Sequence, residues 1–344
     1  MKNDFMTSRR RVLQSLALAS ITPALPVKAA PVARPGVGAQ ESTPKAWPTQ
    51  PIRLLIGFPP GSVQDLSARA IAPSLSAVLG TPVFVENKAG ASGTIAGAMV
   101  ARASDMHTMG VMNNSQLTVA KLLNPSIAYD PMTDLAPVAL IATTPLMLVV
   151  SNASKGSKPA EHIQWLRDLG DRGNYGSPGN GTPGHLGMEL LKNRAQFYTT
   201  HIPYQGNPQV ITALMSGQLH AGLLPPGLAL QQVRAGKMKA VAVTSDGKSP
   251  LAPDESSFRE LDIRGAELDL WSALAAPSSL PQPVAQKLGE AVIAAVKDAE
   301  TRQRLLTAGW LPTPSTSEGL ATRIRHDMRT FGGIIIMRNI RSDA

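Results

Sequence analysis

Ile52-Arg53-Leu54-Leu55-Ile56-Gly57-Phe58-Pro59-Pro60-Gly61-Ser62-Val63-Gln64-Asp65 decides how the chain is read. Its first five residues form a short apolar run of the buried-strand type. A helix-period segment follows over Leu66 to Leu79, with Leu66, Ile71, Leu75 and Val78 recurring at three to five residues. Between the two, the prolines fix a turn and Gly61 permits close backbone approach, while the first amides of the helix are left as unpaired donors. Such amides attract an anion through hydrogen bonding and the positive end of the helix dipole. Asp65 either caps the terminus as ordinary structure or orients a water against a ligand; both readings stand. The loop is not a nucleotide P-loop, because no Gly-Lys-Ser/Thr ends it.

The same alternation continues outward. Strand-like runs at Pro82–Glu86 and Met109–Met112 flank a helical segment at Thr94–Ala103. Two apolar runs, Val138–Ala142 and Leu146–Val150, are separated by Thr143-Thr144-Pro145 and are suited to carry the chain from one lobe into another. A second βα series then runs from Pro159 to Thr244, and Trp271–Ala275 with helices at Pro283–Lys297 and Glu300–Ala308 complete the chain. Alternating strands and helices predict an α/β fold with parallel sheets covered on both faces. A chain that leaves one lobe, builds another and returns places a ligand cleft between them, at the carboxyl ends of the strands.

Further loops offer hydrogen-bonding groups. Ala89-Gly90-Ala91-Ser92-Gly93-Thr94 opens a helix, with Ser92 or Thr94 expected to cap it. Asn113-Asn114-Ser115-Gln116 closes the third strand and is a plausible polar lining. Tyr175 to His185 is the second lobe's counterpart of the first loop, with Ser, Asn and Thr groups and exposed amides. Catalytic parts are missing: Ser177 lies in Gly-Ser-Pro-Gly rather than in a Gly-x-Ser-x-Gly elbow, and no acid stands at a telling distance from His185 or His201. The six histidines form no His-x-x-x-His pair, so neither a metal nor a cofactor is expected.

Composition narrows the classes. With 43% apolar and 17% charged residues, the 344-residue chain is of globular type. It holds no cysteine, which excludes disulfides, thiolate chemistry and a lipid anchor on a cysteine. Ser8 to Ala30 combines Arg9-Arg10-Arg11 with a short apolar core and small residues, an export signal resembling the twin-arginine subtype. The first 29 residues hold five basic residues against one acid, which leaves about +5 of the formal +9 on the remainder. Those charges are scattered and not interleaved with aromatics, so nucleic acid is not an expected partner.

Trp47-Pro48, Phe58-Pro59-Pro60-Gly61 with Asp65, Val85-Glu86-Asn87-Lys88-Ala89-Gly90-Ala91 and Tyr129-Asp130-Pro131 stand in an order that resembles one family. So do Asn174-Tyr175-Gly176-Ser177, Gly179-Asn180-Gly181-Thr182-Pro183, His201-Ile202-Pro203-Tyr204 and Ala235-Gly236-Lys237. The pattern is similar to the substrate-binding proteins of tripartite tricarboxylate transporters, the Bug family, over about Trp47 to Phe331. That resemblance implies a two-lobed periplasmic binding protein of type II-like architecture, closing around a carboxylate held by backbone amides and ordered waters. Carried over by position, it implies ligand contacts from Phe58, Pro59, Gly61, Ser62 and Asp65 on one side, and Ser177, Asn180, Gly181 and Thr182 on the other; Asn114 joins them from the polar lining. The stretch Gly332 to Arg338 reads as less helical than that family's final helix.

The expected organisation is an export signal over residues 1–29, a disordered leader over 30–46, a first lobe over 47–143 and 247–344, and a second lobe over 144–246. The expected protein is a non-enzymatic, monomeric periplasmic receptor, cleaved from its signal and not lipid-anchored. It hands a small carboxylate to a membrane permease or, alternatively, docks loaded on a sensor-kinase ectodomain. A secreted hydrolase using Ser177 and a histidine is the remote third class.

Overall fold

The structure, a computed structural model, describes residues 47–341; the expected export signal and leader lie outside the described residues. Strand β1 (Ile52–Ile56) buries four of its five side chains, as its apolar run requires, and leads into helix α1 (Val63–Leu79). The helix starts three residues before Leu66 because the Ser62 hydroxyl caps it, accepting the Asp65 amide at 3.4 Å. Val78, counted with the apolar face, is half exposed. β2 (Val83–Asn87), α2 (Thr94–Ala101), β3 (Thr108–Met112) and the one-turn helices α3 (Asn114–Leu117) and α4 (Ala120–Leu123) follow. β4 (Leu135–Pro145) and β5 (Met147–Ser151) are joined through Leu146 and lie in different sheets.

The second lobe contains α5 (Pro159–Leu169), β6 (Asn174–Ser177), α6 (Pro183–Ala195), β7 (Thr200–Pro203), α7 (Asn207–Met215), β8 (Ala221–Leu224), α8 (Pro226–Arg234) and β9 (Met238–Val243). The chain then returns through β10 (Asp269–Pro277), α9 (Gln282–Lys297), α10 (Ala299–Thr307), β11 (Leu311–Ser315) and α11 (Ser317–Arg338). One sheet has the order β11-β4-β10-β3-β1-β2 and the other β7-β6-β8-β5-β9.

These sheets are mixed, not parallel throughout as expected. β1 pairs in parallel with β2 and β3, and β6 with β7 and β8. The strands at the passage between lobes run the other way: β10 is antiparallel to β3 and β4, and β5 to β8 and β9. The local residue pattern reports burial, and strand direction is set by where the chain must cross. β11, Leu-Pro-Thr-Pro-Ser, was not expected; its two prolines are tolerated because it pairs only with β4 at the sheet edge.

The final helix corrects a second expectation. α11 continues through Gly332 and Gly333 to Arg338, because Phe331, Ile334 and Ile335 form a buried stripe at helical spacing. Burial outweighs the helix cost of about 1 kcal/mol per glycine. Its middle is fixed to the first lobe, where the Asp327 carboxylate accepts the Asn114 amide at 2.8 Å and the Trp271 indole at 2.7 Å. Its end is fixed to the second lobe by a paired contact of Arg338 with Glu189 of α6 at 3.2 Å. No helix among the described residues is long and apolar enough to cross a membrane.

Candidate functional site

The loop between β1 and α1 is held by one carboxylate. Asp65 is 2% exposed, and its Oδ2 accepts the Gly61 amide at 3.0 Å. Its Oδ1 accepts Arg69 Nε and Asn87 Nδ2, each at 2.9 Å, and Asn87 also donates to the Phe58 carbonyl. Burial works to raise the carboxyl, but the bonds from Arg69, Gly61 and Asn87 outweigh it and hold Asp65 below the usual aspartate range. Asp65 therefore shapes the loop rather than presenting itself to a ligand.

The opposing loop between β6 and α6 is pinned in a similar way. The Ser177 and Thr182 hydroxyls both donate to the Gly179 carbonyl, at 2.9 and 2.7 Å, and the Gly181 amide donates to His185 Nδ1 at 3.0 Å. Behind it the His185 and His201 rings stack 3.9 Å apart, with Tyr175 beyond. Burial, followed by the neighbouring His201 and Lys192 charges, keeps His185 neutral well below its ordinary range. The Tyr175 hydroxyl donates to Glu189, which also receives Lys192 at 2.6 Å and Arg338.

Ser177 Oγ lies 2.6 Å from His201 Nε2, the spacing of a nucleophile and its base. The serine is fully buried, its hydroxyl is shared between the Gly179 carbonyl and His201, and it lines neither of the cavities described below, so it is tied into the loop rather than presented to a ligand.

Loops of the two lobes meet here, the β6–α6 loop against the β2–α2 loop and the β7–α7 loop against the β1–α1 loop. A side chain on Gly179 (φ 133°) would lie 2.5 Å from Ser92 Oγ, and one on Gly206 would lie 2.8 Å from Pro59. Beside this contact is a small cavity of about 20 Å³, room for roughly one water-sized group. Its lining includes the first turns of three helices: Val63 and Gln64 of α1, Pro183 and Gly184 of α6, and Asn207 of α7. Pro225 and Asn113, which precede α8 and α3, complete the ring with Phe58 and Thr182. Helix first turns from both lobes thus border one small space with their positive dipole ends, where Val63, Gln64, Gly184 and Asn207 have a backbone amide and Pro183 and Pro225 have none. Gln64 is 2% exposed there, and its side-chain Nε2 donor has no hydrogen-bond partner. The chemistry that such a space accepts is an anionic oxygen.

A second cavity of about 580 Å³ shares these loops. Pro178 and Asn113 line the small space, while Gly179, Asn180 and Ser115 line the large one. Gly90 to Ser92, Leu123, Asn124, Tyr204 and Gln209 complete much of its wall.

The structure distributes the expected site residues as follows. Phe58 and Thr182 line the small cavity and Asn180 the large one, and Pro59 faces the second lobe. Gly61, Ser62, Asp65, Ser177 and Gly181 build the loops through the bonds given above. Asn114 is fully buried away from both spaces, its amide joining Asp269, Trp271 and Asp327; its neighbour Ser115 lines the cavity instead. Gln64, Tyr204 and Gln209 line the cavities in addition to the expected set, and Ser92, expected as a cap, joins them. Ser92 caps nothing: Gly93 occupies the cap of α2, without a side-chain bond, and Ser92 sits at φ 53° on the cavity wall.

Comparison with known proteins agrees with this architecture. The family described as tripartite tricarboxylate transporter family receptor matches residues 67–340. A UPF0065 protein of Bordetella pertussis is 32% identical over 290 residues, covering 84% of this chain and 90% of its own length. A Rhodopseudomonas palustris protein solved with adipate superposes with a TM-score of 0.82 at 25% identity, covering 86% of this chain and 99% of its own. MatC from Rhodopseudomonas palustris, solved with bound malate, gives 0.77 at 27% identity, covering 84% and 100%. The two-lobed α/β fold, the loops that quote the family's pattern and these matches lead to one conclusion: the chain belongs to the tripartite tricarboxylate transporter receptor family.

Proposed function

We propose that this protein is an exported periplasmic receptor that closes its lobes around a small carboxylate, performs no chemistry on it, and presents it to the membrane permease of a tripartite transporter. The observation that carries the reading is the ring of helix N-termini from both lobes around the unpartnered Gln64 amide. A carboxylate oxygen supplies the acceptor that Gln64 lacks and the negative charge that the dipoles favour. No arginine or lysine lines either cavity among the described residues, so the anion is held by amides and by waters. The adipate and malate bound by structural relatives are small carboxylates of this kind. Asp65, Ser177, Gly181 and Thr182 serve the reading by fixing the loops, and Phe58, Pro59 and Ser62 by placing the amides.

Isothermal titration of the ligand-stripped protein against a panel of small carboxylates and their fully amidated counterparts tests this. Saturable binding of at least one acid, with its uncharged amide inactive, is expected. Binding of no acid, or equal binding of acid and amide, contradicts it.

A further inference from the structure

Resting on the carboxylate-receptor reading, we infer that the ligand is a monocarboxylate whose far end is uncharged and carries a hydrogen-bond donor, seated in the 580 Å³ cavity between the lobes. Sequence neighbours line the two spaces, Pro178 and Asn113 the small one and Gly179 and Ser115 the large one, which makes the large cavity the place for the remainder of an acid anchored at the ring. Among the described residues, its lining carries no charged side chain of either sign. The polar groups that face it come from Ser92, Ser115, Asn124, Asn180, Tyr204 and Gln209, with Leu123 and Ile127 supplying an apolar wall.

The nearby cations are directed elsewhere. Lys121 donates to the Ile127 carbonyl, and Arg341 to the Asn339 side chain. A second carboxylate in this cavity would find no counter-ion in the lining, and an ammonium group no acid.

Asn180 fixes the polarity of the partner. Its Nδ2 donates to the Arg341 carbonyl at 2.7 Å, which sets the amide orientation, since the flipped form would place two acceptors against each other. The remaining Oδ1 is buried and has no partner. It is an acceptor awaiting a donor. A hydroxyl or a carboxamide supplies one, whereas an ionised carboxylate, which only accepts, leaves Oδ1 unpaired and adds a repulsive oxygen beside it.

The test is titration calorimetry on the full-length protein with acids matched in length: succinate, glutarate and adipate, each against its monoamide and the hydroxy acid of the same chain. The tightest-binding length should favour the monoamide or hydroxy acid over its diacid by about tenfold or more, the discrimination expected of a buried polar group that one partner leaves unpaired. Gln209→Arg, at an exposed position on the rim, should move that ratio at least about tenfold toward the diacid by adding the missing counter-charge. A native protein that binds the diacid as tightly as its monoamide, or more tightly, overturns the inference and leaves the receptor reading intact. Failure of every carboxylate to bind, in a sample shown to be folded and ligand-free, overturns both.

Discussion

Replacing Asp65 should damage the first-lobe loop before it damages anything else. The carboxylate accepts three hydrogen bonds, from Gly61, Arg69 and Asn87, and is almost fully buried. Hydrogen bonds to a charged group contribute about 1.5–3 kcal/mol each, but Arg69 is half exposed and regains water when released, so its share falls to about 0.2–1 kcal/mol. The Gly61 and Asn87 donors are only partly buried and recover some hydration, so Asp65→Ala should destabilise by about 3–5 kcal/mol. Asp65→Asn keeps one acceptor but turns a donor toward donors, and should cost roughly half as much. The sign of the pH dependence follows from the lowered folded-state pKa. The contribution is full at neutral pH, where folded and unfolded carboxylates are both ionised, and is lost as pH falls below the ordinary aspartate range toward the lower folded value. Urea unfolding of both variants at pH 7 and at pH 3 reads these quantities as a shift in the first transition. Ligand affinity should fall in parallel, because the amides of the loop lose their placement. If Asp65→Ala proved as stable as the parent yet bound nothing, the carboxylate would be contacting the ligand directly and the structural role assigned to it would be wrong.

Three further outcomes are expected. Glu189→Ala leaves Lys192 buried and unpaired and frees Arg338 of the final helix, so it should cost about 3–5 kcal/mol by urea unfolding, and far less in a background already carrying Lys192→Met. Ser177→Ala removes a buried hydroxyl that joins Gly179 and His201 and should destabilise by about 1–3 kcal/mol, with no change in ester turnover from background. His185 is held neutral by burial first and by nearby positive charge second, so its folded pKa lies below that of the unfolded chain. Stability should therefore decline as pH falls below about 6.5, and His185→Gln should flatten that slope in unfolding curves taken between about pH 7 and 5.

How much of this could be read from residues alone depends on the distance over which each feature is decided. The β1 strand, the α1 helix and the βα series of the second lobe rest on local periodicity, and their apolar faces point where the spacing requires except at Val78. The loop Phe58 to Asp65 was legible as a strand-to-helix turn because prolines, Gly61 and a helix start lie within eight residues. Strand direction was not, since β5 and β10 are set by the two crossings between lobes. α11 hid behind Gly332 and Gly333, because its stability comes from Phe331, Ile334 and Ile335 packing on distant elements. Asn114 and Ser115 show the limit most sharply: in a one-turn helix, adjacent residues point about 100° apart, and only the tertiary fold decides which one meets the cavity. Gln64 carried no signal of its own; its significance is the absence of a partner, which no sequence displays.

The most direct measurement is thermal unfolding of the full-length protein with a panel of small carboxylates, run beside Gln64→Leu. An acid at a hundred times its Kd should stabilise the native protein by about 2.7 kcal/mol. Gln64→Leu removes a buried donor that has no partner, so it should be at least as stable as the parent without ligand while losing most of the ligand-induced rise. A rise equal in parent and variant would place the carboxylate elsewhere than at the ring of helix N-termini, and a flat panel in both would contradict the receptor function itself.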